Sequence, residues 1–206
     1  MGKRNSRRND GNIVFLSDDL FADEINKALV FVDQANETIS HYFGTKSDFD
    51  LIICKGYQQM QSQIMLKSGS SDIIQWKHQH NPQEMSNLVA MTDYELKKII
   101  IRHDIAKFGH YLHELILSVL DRSHTHQLRE ALSWYYTLIL TEQFRYVRPS
   151  YPIWIDYLYV APIKRLMRIV GDDFLRDLAI GKASIEEKAF PADIRKLFMP
   201  EEMFYC

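Results

Sequence analysis

Seven of the eight histidines, His78, His80, His103, His110, His113, His124 and His126, fall within the 49 residues from 78 to 126. An even spread would place about two there. Imidazole is the commonest metal ligand and changes charge near neutral pH. Such a cluster therefore fits a metal site, a proton relay, a pH-sensitive interface or simply a polar surface. Its sharpest string is Arg102-His103-Asp104-Ile105-Ala106-Lys107, which sets an imidazole, a carboxylate and a cation within six residues.

The chain around that string must position it. Thr92 followed three residues later by Glu95 has the spacing of a capping box. Ile101, Ile105, Phe108, Leu112, Leu115, Ile116 and Val119 then recur at helical steps, so the pattern predicts one long amphipathic helix over 92–121. At ~100° per residue, His103, Lys107, His110, Glu114 and Asp121 line one stripe of that helix, opposite its apolar face. Asp104 lies between the two faces. A stripe of this kind is a solvated face unless another layer roofs it. The segments 71–84 and 150–161 are the ones available to do so.

HDIAK, behind the apolar run opened by TDYELKKIII, resembles the signature of HD-domain metal-dependent phosphohydrolases. The resemblance implies a helical fold and a divalent metal ion, held by one histidine, an adjacent His-Asp pair and a later aspartate. The ion would lower the pKa of a bound water to make a nucleophile. Carried over, His103 and Asp104 are the paired ligands, with His78 or His80 upstream and Asp156 or Asp172 downstream. Lys107 and His110 become phosphate or proton-transfer groups, and the substrate a phosphate ester or nucleotide. A second resemblance is to the layout of HExxH zinc metallopeptidases: a long helix ending in HYFGTK, the strand DFDLIIC, then a histidine-bearing helix. In one register Lys107 stands where the second histidine belongs; in the other, from His113-Glu114, Leu117 does. That layout implies a non-catalytic relative.

Elsewhere the pattern is mostly helical. Asn12–Leu16 and Asp48–Cys54 read as two strands that pair. Ser17, Asp18 and Asp19 open a long helix that ends at Gly44. A shorter helix is expected around Tyr57–Leu66, another at about 127–146, another at about 163–170 stopped by Gly171, and a last short one between Pro191 and Pro200. Most aromatic residues of the second half read as core. The exception is 149–159, where prolines are expected to deny regular structure and leave Trp154 and Tyr157 as a binding surface beside Arg145 and Arg148. Residues 67–84 read as an irregular connection. Cys54, in a strand, reads as a buried small hydrophobe.

Composition bounds the remainder. Hydrophobic residues at 46% and charged residues at 25% exclude wholesale disorder. A net charge of -2 gives no basic excess for nucleic acid; the weak case for it rests on Lys3, Arg4, Arg7 and Arg8. No apolar run approaches the ~20 residues that cross a bilayer. Two cysteines make no disulfide framework. No P-loop, dinucleotide fingerprint, nucleophile elbow or CxxC pair occurs. The expectation is a mainly α, multi-helix cytoplasmic domain over 12–200, with a small two-stranded β element near the N-terminus, a mobile basic tail at 1–11 and a short tail at 201–206. Two functions follow from different classes: a metal-dependent phosphohydrolase, or a non-catalytic helical subunit that binds a protein partner through 149–159 and its tails, with no membrane contact.

Overall fold

A computed structural model of the chain describes residues 13–15, 22–66, 88–143, 153–185 and 190–198. The expected tails, the Ser17 cap, and His78, His80, Arg145 and Arg148 lie outside the described residues. The elements run β1 (Ile13–Phe15), α1 (Ala22–Phe43), β2 (Asp50–Cys54), α2 (Tyr57–Leu66), β3 (Ala90–Asp93), β4 (Lys98–Arg102), α3 (Phe108–Val119) and α4 (His126–Gln143). Then come α5 (Ile153–Ile155), a π turn (Asp156–Val160), α6 (Ala161–Val170), α7 (Asp172–Ala179), α8 (Ala192–Arg195) and a closing 3-10 turn (Lys196–Phe198). The fold is mainly helical, as its apolar periodicity predicts. Among the described residues no helix is long and apolar enough to cross a membrane.

The β element is larger than expected. β1 pairs parallel with β2, as the two apolar runs imply, but β2 also pairs parallel with β4 and β3 antiparallel with β4. The sheet order is β1-β2-β4-β3. Strand β4 replaces the first half of the predicted 92–121 helix. Its three consecutive isoleucines are the reason. Ile99 and Ile101 enter the main core with Leu51 and Ile53. Ile100 points the other way, into a second cluster with Ile52, Cys54, Met60 and Ile64. A strand buried on both faces reads as an unbroken apolar run, and a helix would bury only part of it. Each isoleucine fully buried this way contributes about 1.5–3 kcal/mol.

The Thr92–Glu95 spacing belongs to a hairpin and not to a helix cap. The Asp93 carboxylate accepts the Leu96 N–H at 3.0 Å, closing a side-chain-supported turn. Lys97 completes it at φ 49°, in the left-handed region. The register sets Asp93 opposite Lys98 and Ala90 opposite Ile101.

The main core lies between one sheet face and α1, α3, α4 and the later helices; α2 covers the opposite face. Tyr111, Tyr135 and Tyr136 are fully buried there, as the reading of most aromatics as core requires. Pro162 does not break the later aromatic segment, contrary to expectation; Pro149 and Pro152 lie outside the described residues. Pro162 sits where the π turn gives way to α6, so its missing N–H and its ring are met by the altered winding there. The widened π turn before it, closed by the Ala161 N–H on the Asp156 carbonyl, loosens the helix where a proline ring crowds the preceding turn. The chain from Ile153 to Val170 is therefore helical throughout.

Candidate functional site

Among the described residues, two places carry clustered polar side chains: the rim where β4 runs into α3, and the space between β3, α3 and α4. At the rim, the Asp104 carboxylate is held bidentately by Arg102, Nε at 3.1 Å and Nη2 at 2.8 Å. The Arg102 guanidinium also donates to the Leu88 carbonyl and lies over the Tyr57 ring. His103 meets the Tyr111 hydroxyl through Nδ1 at 3.1 Å, and its N–H extends the sheet onto the Cys54 carbonyl. Burial, with the Asp104 charge second, pushes the Cys54 thiol up to about 12, so it is no nucleophile. Doublet and cation are adjacent in sequence, but Asp104 is committed to Arg102.

His110 has a structural role. Its Nδ1 accepts the Lys107 N–H at 2.9 Å, the reach-back of a capping box with imidazole in place of carboxylate. The neutral ring then carries its proton on Nε2. Burial first, then the neighbouring His113 and Lys107 charges, depress its pKa and hold it in that accepting form. Lys107 is the exposed N-cap residue of α3. The stripe of His103, Lys107, His110, Glu114 and Asp121 does not exist as one helical face: the first two precede α3, and Asp121 follows it.

The second cluster is buried. On α3, His113 is 6% and Glu114 8% exposed. Thr92 on β3 donates to Glu114 Oε2 at 2.6 Å. On α4, Ser133 donates to the His113 carbonyl at 2.8 Å and lies 3.0 Å from His113 Nδ1. With its one proton on the carbonyl, the Ser133 oxygen must accept from Nδ1–H. His113 Nε2 then faces Glu130 Oε2 at 3.5 Å, and the imidazole packs on the Trp134 ring at 4.2 Å. Arg129 lies over Tyr94, 4.1 Å from the ring centroid.

The two carboxylates are driven apart. Burial raises Glu114 above the usual glutamate range, and the His113 charge and the Thr92 hydrogen bond only partly oppose it. Burial pushes Glu130 the same way, but the His113 hydrogen bond and charge, with His126 and Arg129, outweigh it and leave Glu130 low. Ser133-His113-Glu130 has the composition of a hydrolytic triad. Its chemistry is blocked, because Ser133 is fully buried and its proton points at a backbone carbonyl. The sequence places His113 in the histidine cluster and Glu114 on the expected polar stripe, and both in a shifted peptidase register, but gives no sign of Glu130. The available signal was a polar doublet inside the otherwise apolar FGHYLHELILSV.

The other expected site residues are scattered. Asp156 opens the π turn and Asp172 accepts the Tyr42 hydroxyl at 2.8 Å. Among the described residues, no group of three or more His, Cys, Asp or Glu is arranged to hold a metal ion. Of the residues expected to form a binding surface, Trp154 and Tyr157 are 50% and 74% exposed, beside Ile153 at 89% and Leu158 at 50%. No family model, curated protein or solved structure matches the chain.

Proposed function

We propose that the chain is a non-catalytic helical binding subunit whose contact surface is the exposed side of α5 and the π turn. The carrying observation is the exposure of Ile153, Trp154, Tyr157 and Leu158 together on an ordered helix whose other side, through Ile155 and Val160, is locked in the core. Single exposed apolar residues are ordinary, but four contiguous ones on a rigid element mark an interaction site. Trp and Tyr there add contact area at low entropic cost.

The metal-dependent phosphohydrolase reading draws less support. Asp104 is engaged by Arg102, His110 by a helix cap and His103 by Tyr111. Retaining that reading requires a ligand such as His80 from outside the described residues. One experiment weighs both readings. In an extract of the cell that makes it, the chain should migrate in an assembly larger than its own 24.3 kDa. Trp154→Ala with Tyr157→Ala should release it to monomer size, while His103→Ala with Asp104→Ala leaves the assembly intact. Near-stoichiometric metal on the purified chain, abolished by the second pair of changes, would instead restore the hydrolase.

A further inference from the structure

The long helix from Ile153 to Val170 presents two outward faces of different chemistry. The π turn rotates the arm that carries Ile153, Trp154, Tyr157 and Leu158 away from α6, which is wound uniformly. On α6 the exposed residues are Lys164, Arg165, Arg168 and Ile169, while Pro162, Ile163 and Leu166 are buried. At ~100° per residue those four fall within an arc of about 140° and so form one face. Three of them are cations, and α6 holds no acidic residue. The neighbouring α8, which packs against α6, and the closing turn expose Arg195 and Lys196 as well. The next acids along the chain, Asp172 and Asp173, are engaged elsewhere, by the Tyr42 hydroxyl and by Arg176. Among the described residues neither Lys164 nor Arg168 is in an ion pair. A chain of net charge -2 therefore gathers unneutralised positive charge on this one helix.

We propose that this face of α6 docks an acidic segment of a partner protein, as a second contact separate from the aromatic one. Charge complementarity names the occupant. Lys164 and Arg168 are a like-charge pair one turn apart, an arrangement that weakens a helix by itself. Carboxylates laid over the face turn that repulsion into attraction and give the planar guanidinium groups of Arg165 and Arg168 two-point partners. Ile169, 58% exposed beside the cations, separates a protein from other polyanions. An acidic helix can set one apolar side chain against it, whereas a nucleic-acid backbone offers phosphate only. A lipid surface needs a broad apolar face above the cations, and α6 exposes one large apolar residue. Because the two arms face different ways, the occupant of α6 leaves the aromatic face open. The chain then bridges two neighbours, one held by apolar burial and one by charge.

Fluorescence anisotropy of a labelled probe with the purified full-length chain tests this, with far-UV circular dichroism confirming the fold of each variant. The probe is a helical peptide of glutamates with leucine at every fourth position. It should bind at low salt and release as salt rises, because exposed charges are screened. Lys164→Glu with Arg168→Glu should raise the dissociation constant roughly tenfold or more, and Ile169→Ser should also weaken binding. Lys164→Gln with Arg168→Gln should act in the same direction by less and covers the case in which the double reversal does not fold. Lys27→Glu, a reversal at an exposed position of α1, should leave binding nearly unchanged. A chain that ignores the peptide at low salt overturns the inference. So does binding that is indifferent to the changes on α6, or that falls no further there than at Lys27, since the peptide is then held by other cations such as Lys3, Arg4, Arg7 and Arg8. A short DNA duplex, or a vesicle containing phosphatidylserine, bound more tightly than the peptide through Lys164 and Arg168 overturns it in favour of nucleic acid or membrane. The aromatic contact is tested apart from this by Trp154→Ala with Tyr157→Ala in extract, so either face can fail while the other stands.

Discussion

Replacing His113 by leucine should destabilise the fold more than replacing His113 and Glu130 together. Across 3.5 Å, an imidazolium and a carboxylate attract by about 5 kcal/mol at an effective dielectric constant near 20, so the test belongs at a pH where histidine is charged. Desolvation of the two ions offsets most of that, so the pair adds little net stability. His113→Leu removes the attraction and keeps the cost: Glu130, with its side chain 21% exposed, is left without its partner. Ser133 loses one hydrogen bond as well. Full burial would make such a loss about 3–5 kcal/mol; partial water access at Glu130 brings the expectation to about 2–3 kcal/mol. For a chain of this size that lowers the melting temperature by roughly 5–10 °C. In the double variant His113→Leu with Glu130→Leu no orphaned charge remains, and the net loss should fall to about 1 kcal/mol. Urea unfolding of His113→Leu, Glu130→Leu and the double variant at about pH 5.5, between the ordinary glutamate and histidine pKa values, fitted for midpoint and slope, gives all three values. The reasoning fails if the double variant loses the sum of the two single losses to within ~0.5 kcal/mol, because independent sites add in that way.

Other outcomes follow from the same geometry. Glu114 binds its proton more tightly folded than unfolded, so its contribution is fully present below the ordinary glutamate pKa and is lost as pH rises through the raised folded value. Glu114→Gln should flatten that decline in a pH series of unfolding midpoints; an unchanged slope would remove Glu114 as its cause. Glu130 has the opposite sign: its stabilisation is present above the ordinary value and is lost as pH falls through its lowered one. Glu130→Gln should therefore weaken the dependence on the acid side. At Gly181, φ is +75° and an added Cβ would lie 2.7 Å from Asp121 Oδ2, so Gly181→Ala should cost about 2–3 kcal/mol. Gly44→Ala, at φ +70° with open space around it, should cost only about 1 kcal/mol, and equal losses at the two glycines would exclude a clash with Asp121.

Helical periodicity carried much of the fold. The long helix ending at Gly44, the stop at Gly171, and the apolar runs within 12–16 and 48–54 all point to what is observed, because each is a local pattern with one structural solution. The stretch 92–107 has two. TDYELKKIIIRHD carries a helix-cap spacing and helical apolar steps, yet three adjacent isoleucines are also what a strand covered on both sides demands. The choice depends on β2 and α2, whose packing against Ile100 no local window contains. A helix there misplaces the site as well, because it puts His103 and Lys107 on a stripe that the chain does not form. The buried cluster escaped notice because Glu130 and Ser133 are ordinary residues of α4 until α3 brings His113 against them. Trp154 and Tyr157 are exposed on a helix and not on a segment unwound by proline, because the face they occupy turns away from Ile155 and Val160.

The π turn ties surface to interior. It packs an extra residue into the turn, so the N-terminal arm of that long helix is rotated relative to the arm beyond Ala161 by roughly one residue's worth of twist, about 100°. Deleting one residue there would restore uniform winding, but it would force a choice. Either Ile155 and Val160 swing out of the core, or the arm beyond Ala161 turns with the deletion and Ile163 and Leu166 leave it. In this helix the number of residues is itself constrained, so a one-residue length change should be tolerated less well than most single substitutions in the same turn.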